Sequence, residues 1–163
     1  WREWDPNTLV VIRAGDYENW ERSGLWKSWD PQEVLVSEGE YVQGKKVGKW
    51  TWYKDGEDKG WQENYNNGVL NGKFNNLSPY ADIRGIGTYN EGVKTGDWEE
   101  YYSSVDGSLE RSQTGSYQFG KKVGIWSLYA KNGRRIAEGT YKDDIKEGEW
   151  TEGPDIDLSL IHI

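Results

Sequence analysis

Aromatic residues and glycines recur along this chain at a fixed interval, and every other feature is arranged around that recurrence. Tyr17, Tyr41, Tyr65, Tyr89, Tyr117 and Tyr141 are spaced 24 residues apart, with one interval of 28. Nine residues after each comes a second aromatic: Trp26, Trp50, Phe74, Trp98, Trp126 and Trp150. Two residues before each of these stands a glycine: Gly24, Gly48, Gly72, Gly96, Gly124 and Gly148. Further glycines follow most of the tyrosines (Gly44, Gly68, Gly92, Gly120) and precede most of them (Gly15, Gly39, Gly87, Gly115, Gly139). The consensus is G-x-Y-x-x-G-x-x-x-G-x-W-x-x-[YW], clearest over residues 39–53 and 115–129. Self-similarity of this period is the signature of a repeat array.

No apolar stripe at i, i+3, i+4 persists between these markers, so the repeat unit is not a helix. Around Tyr41 and Trp50 the pattern predicts a strand over 38–43, a turn through 44–48 and a strand over 49–54. The paired glycines allow positive φ in that turn without a Cβ clash. A second turn follows each W-x-x-Y strand, marked by Asp55-Gly56, Asp106-Gly107 and Asn132-Gly133. Such dipeptides favour type I′ hairpins. Each repeat is therefore one hairpin feeding the next. An isolated hairpin is marginal in water, but stacked hairpins bring equivalent rings together, each pair adding about 0.5–1.5 kcal/mol beyond area burial. The expected fold is all-β: an elongated, single-sheet antiparallel meander of tandem hairpins, an open array with nearest-neighbour energetics. Side chains alternate, so Trp50 and Trp52 share one face while Thr51 and Tyr53 take the other.

The array is expected to span residues 1–153. A half repeat occupies 1–14, where Trp1-Arg2-Glu3-Trp4-Asp5-Pro6 mirrors Trp26-Lys27-Ser28-Trp29-Asp30-Pro31. Complete repeats start near 15, 39, 63, 87, 115 and 139. Glu63 replaces a leading glycine, Phe74 a tryptophan, and Trp20 and Asp144 the glycine after the tyrosine. The longer interval comes from extra residues around 103–107, read as one lengthened turn. Residues 158–163 resemble a translated sequencing adapter, so 154–163 is read as a non-native tail. With Met 0 and a start inside a repeat, the natural N-terminus is expected to lie upstream, which leaves the compartment undetermined.

Composition sharpens this picture. Hydrophobic residues make up only 34%, yet aromatics reach 15%, with Trp 11 and Tyr 11 against Phe 2. Burial must come from indole and phenol rings, which suits a thin sheet and argues against disorder. The formal charge of −8 opposes binding to phosphate backbones, so no nucleic acid is expected as a partner. No apolar run is long enough for a membrane span. Cys 0 removes disulfides and thiolate metal sites.

Catalytic chemistry finds no support. The single histidine, His162, lies in the suspect tail, so no His-based triad or metal cluster can be assembled. Asp143-Asp144, Glu147, Glu149 and Glu99-Glu100 lack the spacing of a glycosidase pair or a Ca²⁺ loop and read as a solvated acidic face. Gly115, Gly120 and Gly124 precede no helix and no G-K-[ST] end, which excludes a phosphate loop. Lys45-Lys46 and Lys121-Lys122 read as solvated turn lysines. No catalytic residue, cofactor or metal ligand is assigned. Structural roles go to Tyr17, Trp26, Tyr41, Trp50, Tyr65, Phe74, Tyr89, Trp98, Tyr117, Trp126, Tyr141 and Trp150, and to Gly48, Gly96, Gly124 and Gly148. The off-consensus Trp20, Trp52 and Trp61 are the candidates for partner binding, because exposed tryptophans anchor interfaces.

The Y-x-x-G-x-x-x-G-x-W core with N-G and D-G turns resembles the MORN repeat family, in particular the bacterial variant of YwqK-type proteins described as antitoxin-like. The resemblance covers residues 1–153. It implies a hairpin array used as scaffold, dimerisation unit, accessory domain or antitoxin, and specifies fold more than function. The expected function is a non-catalytic module for protein–protein interaction, in whose antitoxin-like form acidic residues cover a basic toxin surface. The alternatives are a carbohydrate or cell-envelope binding module, with tryptophans stacked on a glycan, and an accessory array within a larger protein.

Overall fold

The computed structural model describes residues 1–7, 10–54, 56, 59–78, 84–102 and 108–153. The strands are β1 (Arg2–Trp4), β2 (Val11–Glu18), β3 (Glu21–Trp29), β4 (Leu35–Val42), β5 (Lys45–Tyr53), β6 (Lys59–Asn66) and β7 (Val69–Leu70). They continue with β8 (Gly72–Asn76), β9 (Gly85–Asn90), β10 (Val93–Tyr101), β11 (Arg111–Gln118), β12 (Lys121–Tyr129), β13 (Arg135–Lys142) and β14 (Ile145–Glu152). All join one antiparallel sheet in which strands lie in sequence order, with the short β7 paired to β6 off the main path. No helix occurs among the described residues. The architecture is the expected all-β meander of tandem hairpins. The tail over 154–163 and the insertion at 103–107 lie outside the described residues.

The turns within each repeat are tighter than the sequence suggested. The β4–β5 turn is not a loop through 44–48 but the two residues Gln43 (φ 49°) and Gly44 (φ 70°). Two adjacent positive φ values define a type I′ turn, whose twist matches its strands. The same pair of left-handed residues recurs at Asn19-Trp20, Asn67-Gly68, Glu91-Gly92, Phe119-Gly120 and Asp143-Asp144. Successive turns lie side by side, the Gly44 amide donating to the Arg22 carbonyl at 2.9 Å and the Gly68 amide to Lys46 at 2.8 Å. The expected type I′ turn at Asn132-Gly133 is also corrected. Gly133 (φ 79°) is left-handed but Asn132 is not, and the Gly133 amide donates to the Ala130 carbonyl. That is the three-residue hairpin loop, a type I turn closed by a left-handed glycine. Asp55 and Asp106-Gly107 lie outside the described residues.

The glycine two residues before each tryptophan sits inside a strand and not in a turn. Between β4 and β5, Glu38 pairs with Thr51 and Glu40 with Val47, so Gly39 alone faces Gly48, Lys49 and Trp50. Gly48 absorbs this bulge with φ 62°. The bulge swings the Trp50 ring back across the sheet onto Gly39, where a Cβ would stand 2.2 Å from the indole. The Trp50 Nε1 then donates to the Glu40 carbonyl at 3.2 Å. Trp26, Trp98 and Trp126 repeat this overlay on Gly15, Gly87 and Gly115, with matching indole-to-backbone bonds of 3.1–3.2 Å.

Tyrosines bridge these tryptophans edge-on. Trp98, Tyr117, Trp126 and Tyr141 follow one another at 6.0, 5.0 and 6.1 Å with interplanar angles of 83–84°. A cation caps each indole: Arg22, Lys46, Lys94, Lys122 and Lys146 lie 4.3–4.6 Å from the rings of Trp26, Trp50, Trp98, Trp126 and Trp150. Glycine below, tyrosine on each side and a cation above bury Trp98 and Trp126 fully in a one-layer sheet. Lys46 and Lys122 are thus not solvated turn residues. Each lies flat over the ladder, half-buried, and burial pulls its ammonium below the usual lysine range.

The third repeat interrupts the ladder. Glu63 occupies the glycine position and Leu70 the cation position, and β6 pairs in register with β8 at only Trp61–Asn76 and Gln62–Asn75, with the Asn64 side-chain amide donating to the Lys73 carbonyl at 2.6 Å. Tyr65 turns its hydroxyl to Glu63 at 2.6 Å, and Phe74 packs against Tyr89 and Trp98 instead. Nearby, the buried Arg84 donates to the carbonyls of Leu77, Tyr102 and Ser108, tying two of the longer connections together.

Candidate functional site

The positions that recur in every repeat are consumed by the ladder, so individuality has to come from positions that vary. On the ladder face one row does so: the residue two after each tryptophan, paired across the junction with the residue four before the next tyrosine. The pairs are Ser28–Ser37, Trp52–Trp61, Asn76–Gly85, Glu100–Gln113 and Leu128–Ala137. The backbone frame is the same at each junction and the chemistry differs.

At the first junction the hydroxyls of Ser28 and Ser37 bond each other at 2.6 Å. At the second, Trp52 and Trp61 stack with centroids 5.6 Å apart and planes 7° from parallel, and the Lys46 ammonium sits 4.9 Å above Trp52. At the fourth, the Glu100 carboxylate accepts hydrogen bonds from Lys94, Gln113 and the Tyr117 hydroxyl, the last at 2.9 Å. Burial pushes the Glu100 carboxyl up, but these three donors and the Lys94 charge outweigh it and hold the group below the ordinary carboxylate range. Tyr117 is driven well above the usual phenol range by burial first and by the Glu100 charge second. The fifth junction is apolar.

Of the candidate partner-binding residues, the structure brings Trp52 and Trp61 together but leaves Trp20 apart. Trp52 and Trp61 are half-buried. Trp20 sits in the β2–β3 turn, 94% exposed, at φ 68° in a position that is glycine in most copies. The exposed acidic residues Asp16, Glu18 and Glu21 surround it in sequence. Phe119, 84% exposed, occupies the equivalent turn of the fifth repeat. Asp144 is used structurally, its carboxylate accepting the Lys122 amide at 2.8 Å.

Two hollows bear on function. One of about 250 Å³ opens on the ladder face over the first junction, lined by Arg13, Arg22, Ser28, Ser37, Tyr41 and Lys46 above the indoles of Trp26 and Trp50. A wider one of about 710 Å³ lies between Lys73, Ile86, Asp97, Thr114 and Ile125. The larger hollow is the less specific. Asp97 already accepts the Ser116 hydroxyl at 2.5 Å, and its other walls mix aliphatic and polar groups without a common charge. Among the described residues no group of three or more Asp, Glu, His or Cys is placed to hold a metal ion. No described helix is long and apolar enough to cross a membrane, which leaves strand-based insertion untouched.

Glu100, expected on a solvated acidic face, is instead half-buried and bound by three donors, just as Lys46 and Lys122 lie on the ladder and not in solvent. Arg22, Lys94, Lys146 and the serine–serine junction were not singled out from sequence. The cations were detectable as a basic residue four before the tryptophan in five copies of the repeat: Arg22, Lys46, Lys94, Lys122 and Lys146. The junction row carries only a signal of variability against a fixed frame. No protein-family model matches the chain, and no curated protein sequence matches it.

Proposed function

We propose that this chain is a non-catalytic, MORN-like interaction module that holds a protein partner, with the β2–β3 turn as an anchoring point. The supporting observation is Trp20. A non-glycine residue in the left-handed region costs about 1–2 kcal/mol, and Trp20 is almost fully solvated there. Glycine or asparagine would form the same turn more cheaply. A large aromatic that strains its own backbone and packs against nothing else described in the chain is accounted for by contact with another molecule. Its acidic flank suits a basic surface, and in the antitoxin-like form of this reading that surface belongs to a toxin.

The test is affinity capture from the source organism with the wild-type chain and with Trp20→Gly, each checked for folding by tryptophan fluorescence. The expected result is a specific partner lost with the variant, which is itself slightly more stable because the turn is relaxed. Equal recovery with both chains would contradict the assignment. A second reading, a glycan-binding surface, is favoured by the parallel Trp52 and Trp61 rings. It predicts a saturable fluorescence shift with oligosaccharides that Trp61→Ala abolishes.

A further inference from the structure

We infer that the hollow over the Ser28–Ser37 junction is a binding site for a carboxylate group, and that the protein carries its own template of the complex at Glu100. The two places are the same point of the repeat. Ser28 and Glu100 both stand two residues after a ladder tryptophan, Ser37 and Gln113 face them across the junction, and Tyr41 and Tyr117 come next on the facing strand. Arg22 corresponds to Lys94, and both lie over the local tryptophan and the following tyrosine, at 4.6 and 5.4 Å for Arg22 and at 4.5 and 4.9 Å for Lys94.

In the later copy the Glu100 side chain fills the space and takes one hydrogen bond each from a cation, a phenol and a side-chain amide. In the first copy the short Ser28 leaves that space open, and the donors remain. Arg22 Nη1 donates to the Tyr41 hydroxyl oxygen at 3.3 Å, a bond that uses an acceptor lone pair of the phenol and not its proton. The Ser28 and Ser37 hydroxyls share one bond, so one of their two protons is also free to donate. A carboxylate entering here would meet a cation, a phenol and a hydroxyl, a donor set parallel to the one that holds Glu100. Arg13 pairs with Ser28 from the other neighbouring strand, and Lys46 stands where Lys122 stands in the later copy.

Charge agrees with shape. Four basic residues, Arg13, Arg22, Lys27 and Lys46, and no carboxylate line the hollow among the described residues, in a chain whose formal charge is −8. Lys27 is taken up by Glu38 at 3.0 Å, which leaves the other three to face the hollow. Arg13 does reach Glu3, at 3.4 Å, but that pair is exposed and weak. Charge-assisted bonds to a carboxylate are the stronger class of hydrogen bond, so the site selects that group over neutral ligands. The residues are distinct from Trp20, and the fate of one assignment leaves the other standing.

The experiment is a fluorescence and calorimetric titration of the full chain at constant ionic strength. The probes are acetate, N-acetyl-glutamate amide and galacturonate, with sulfate as the competing anion. Saturable binding of carboxylates at one site per chain is expected. A preference for the glutamate derivative marks a protein side chain as the natural ligand, and a preference for galacturonate marks an acidic sugar. Ser28→Glu places a carboxylate where Glu100 stands in the later copy, and is expected to weaken binding at least tenfold in a chain that remains folded. Glu100→Ser is expected to open a second site and raise the stoichiometry from one to two. Three results would overturn the inference: no saturation with any carboxylate, sulfate binding as tightly, or undiminished affinity in folded Ser28→Glu.

Discussion

Replacing Gly39 with alanine would put a methyl carbon 2.2 Å from the Trp50 ring, far inside van der Waals contact. The backbone there is held by β3 on one side and β5 on the other, so the ring has to move. Moving it gives up an edge-on contact with Tyr41 at 5.1 Å, the Lys46 cation at 4.3 Å and the bond from Nε1 to the Glu40 carbonyl. With about 0.5–1.5 kcal/mol for the aromatic pair, about 0.5–1 for the cation and about 1 for the hydrogen bond, the loss comes to about 3 kcal/mol. Gly48→Ala is the matched control, nine residues away in the same hairpin. Its Cβ would meet nothing within 4 Å, and only the left-handed backbone at φ 62° resists it, which costs about 1–2 kcal/mol. Urea unfolding followed by tryptophan fluorescence separates them. Gly39→Ala should lower the midpoint substantially more than Gly48→Ala, and adding Trp50→Phe to Gly39→Ala should cost less than the two single changes together. The third repeat, with Glu63 and Phe74 at these positions, is a natural version of that double change. Equal effects of the two alanines would refute the ring-on-glycine account.

Three further outcomes follow from the same geometry. Tyr65 and Tyr117 are held protonated by burial first and by nearby carboxylates second. Their contribution to stability is complete below the unfolded phenol value of about 10 and is lost as pH rises beyond it. Urea midpoints should therefore fall above pH 10, less so in Tyr117→Phe. Glu100 behaves oppositely, because its folded carboxyl is depressed. Its contribution is present above the unfolded carboxylate value of about 4.3 and disappears as pH drops below that. Glu100→Gln should flatten the acid limb of the stability profile. Arg84→Met removes the donor shared by three carbonyls, and should cost about 3 kcal/mol through the loss of three part-buried hydrogen bonds. Proteolysis should then cut first in the connections that Arg84 ties, and unchanged cleavage would count against that role.

The period, the strand order and the sharing of faces were legible in the sequence because they depend on spacing alone. Tyr41 and Trp50 meet because the hairpin returns the chain, whatever the detail of the turn. The internal geometry was less legible. A glycine pair four residues apart reads as a loop, yet Gly44 closes a two-residue turn and Gly48 serves a bulge, because positive φ is demanded at two separate points for different reasons. The same spacing hid Lys46 and Lys122, whose stems follow the bulge onto the ladder instead of pointing to water. Sequence position did not separate the three extra tryptophans: Trp52 and Trp61 stack on each other, whereas Trp20 projects from a turn. The carboxylate hollow is defined by what Ser28 lacks relative to Glu100, and this becomes visible only once both are placed on one frame.

The account depends most on indole rings lying over glycines in successive hairpins, and the chemical shifts of glycine α-protons report that directly. In a ¹H–¹³C spectrum of the folded chain, Gly15, Gly39, Gly87, Gly115 and Gly139 should show strong upfield ring-current shifts, while Gly48, Gly96, Gly124 and Gly148 should not. Ordinary shifts at the first group, or equal shifts in both, would contradict the ladder and with it the fold and the sites built on it.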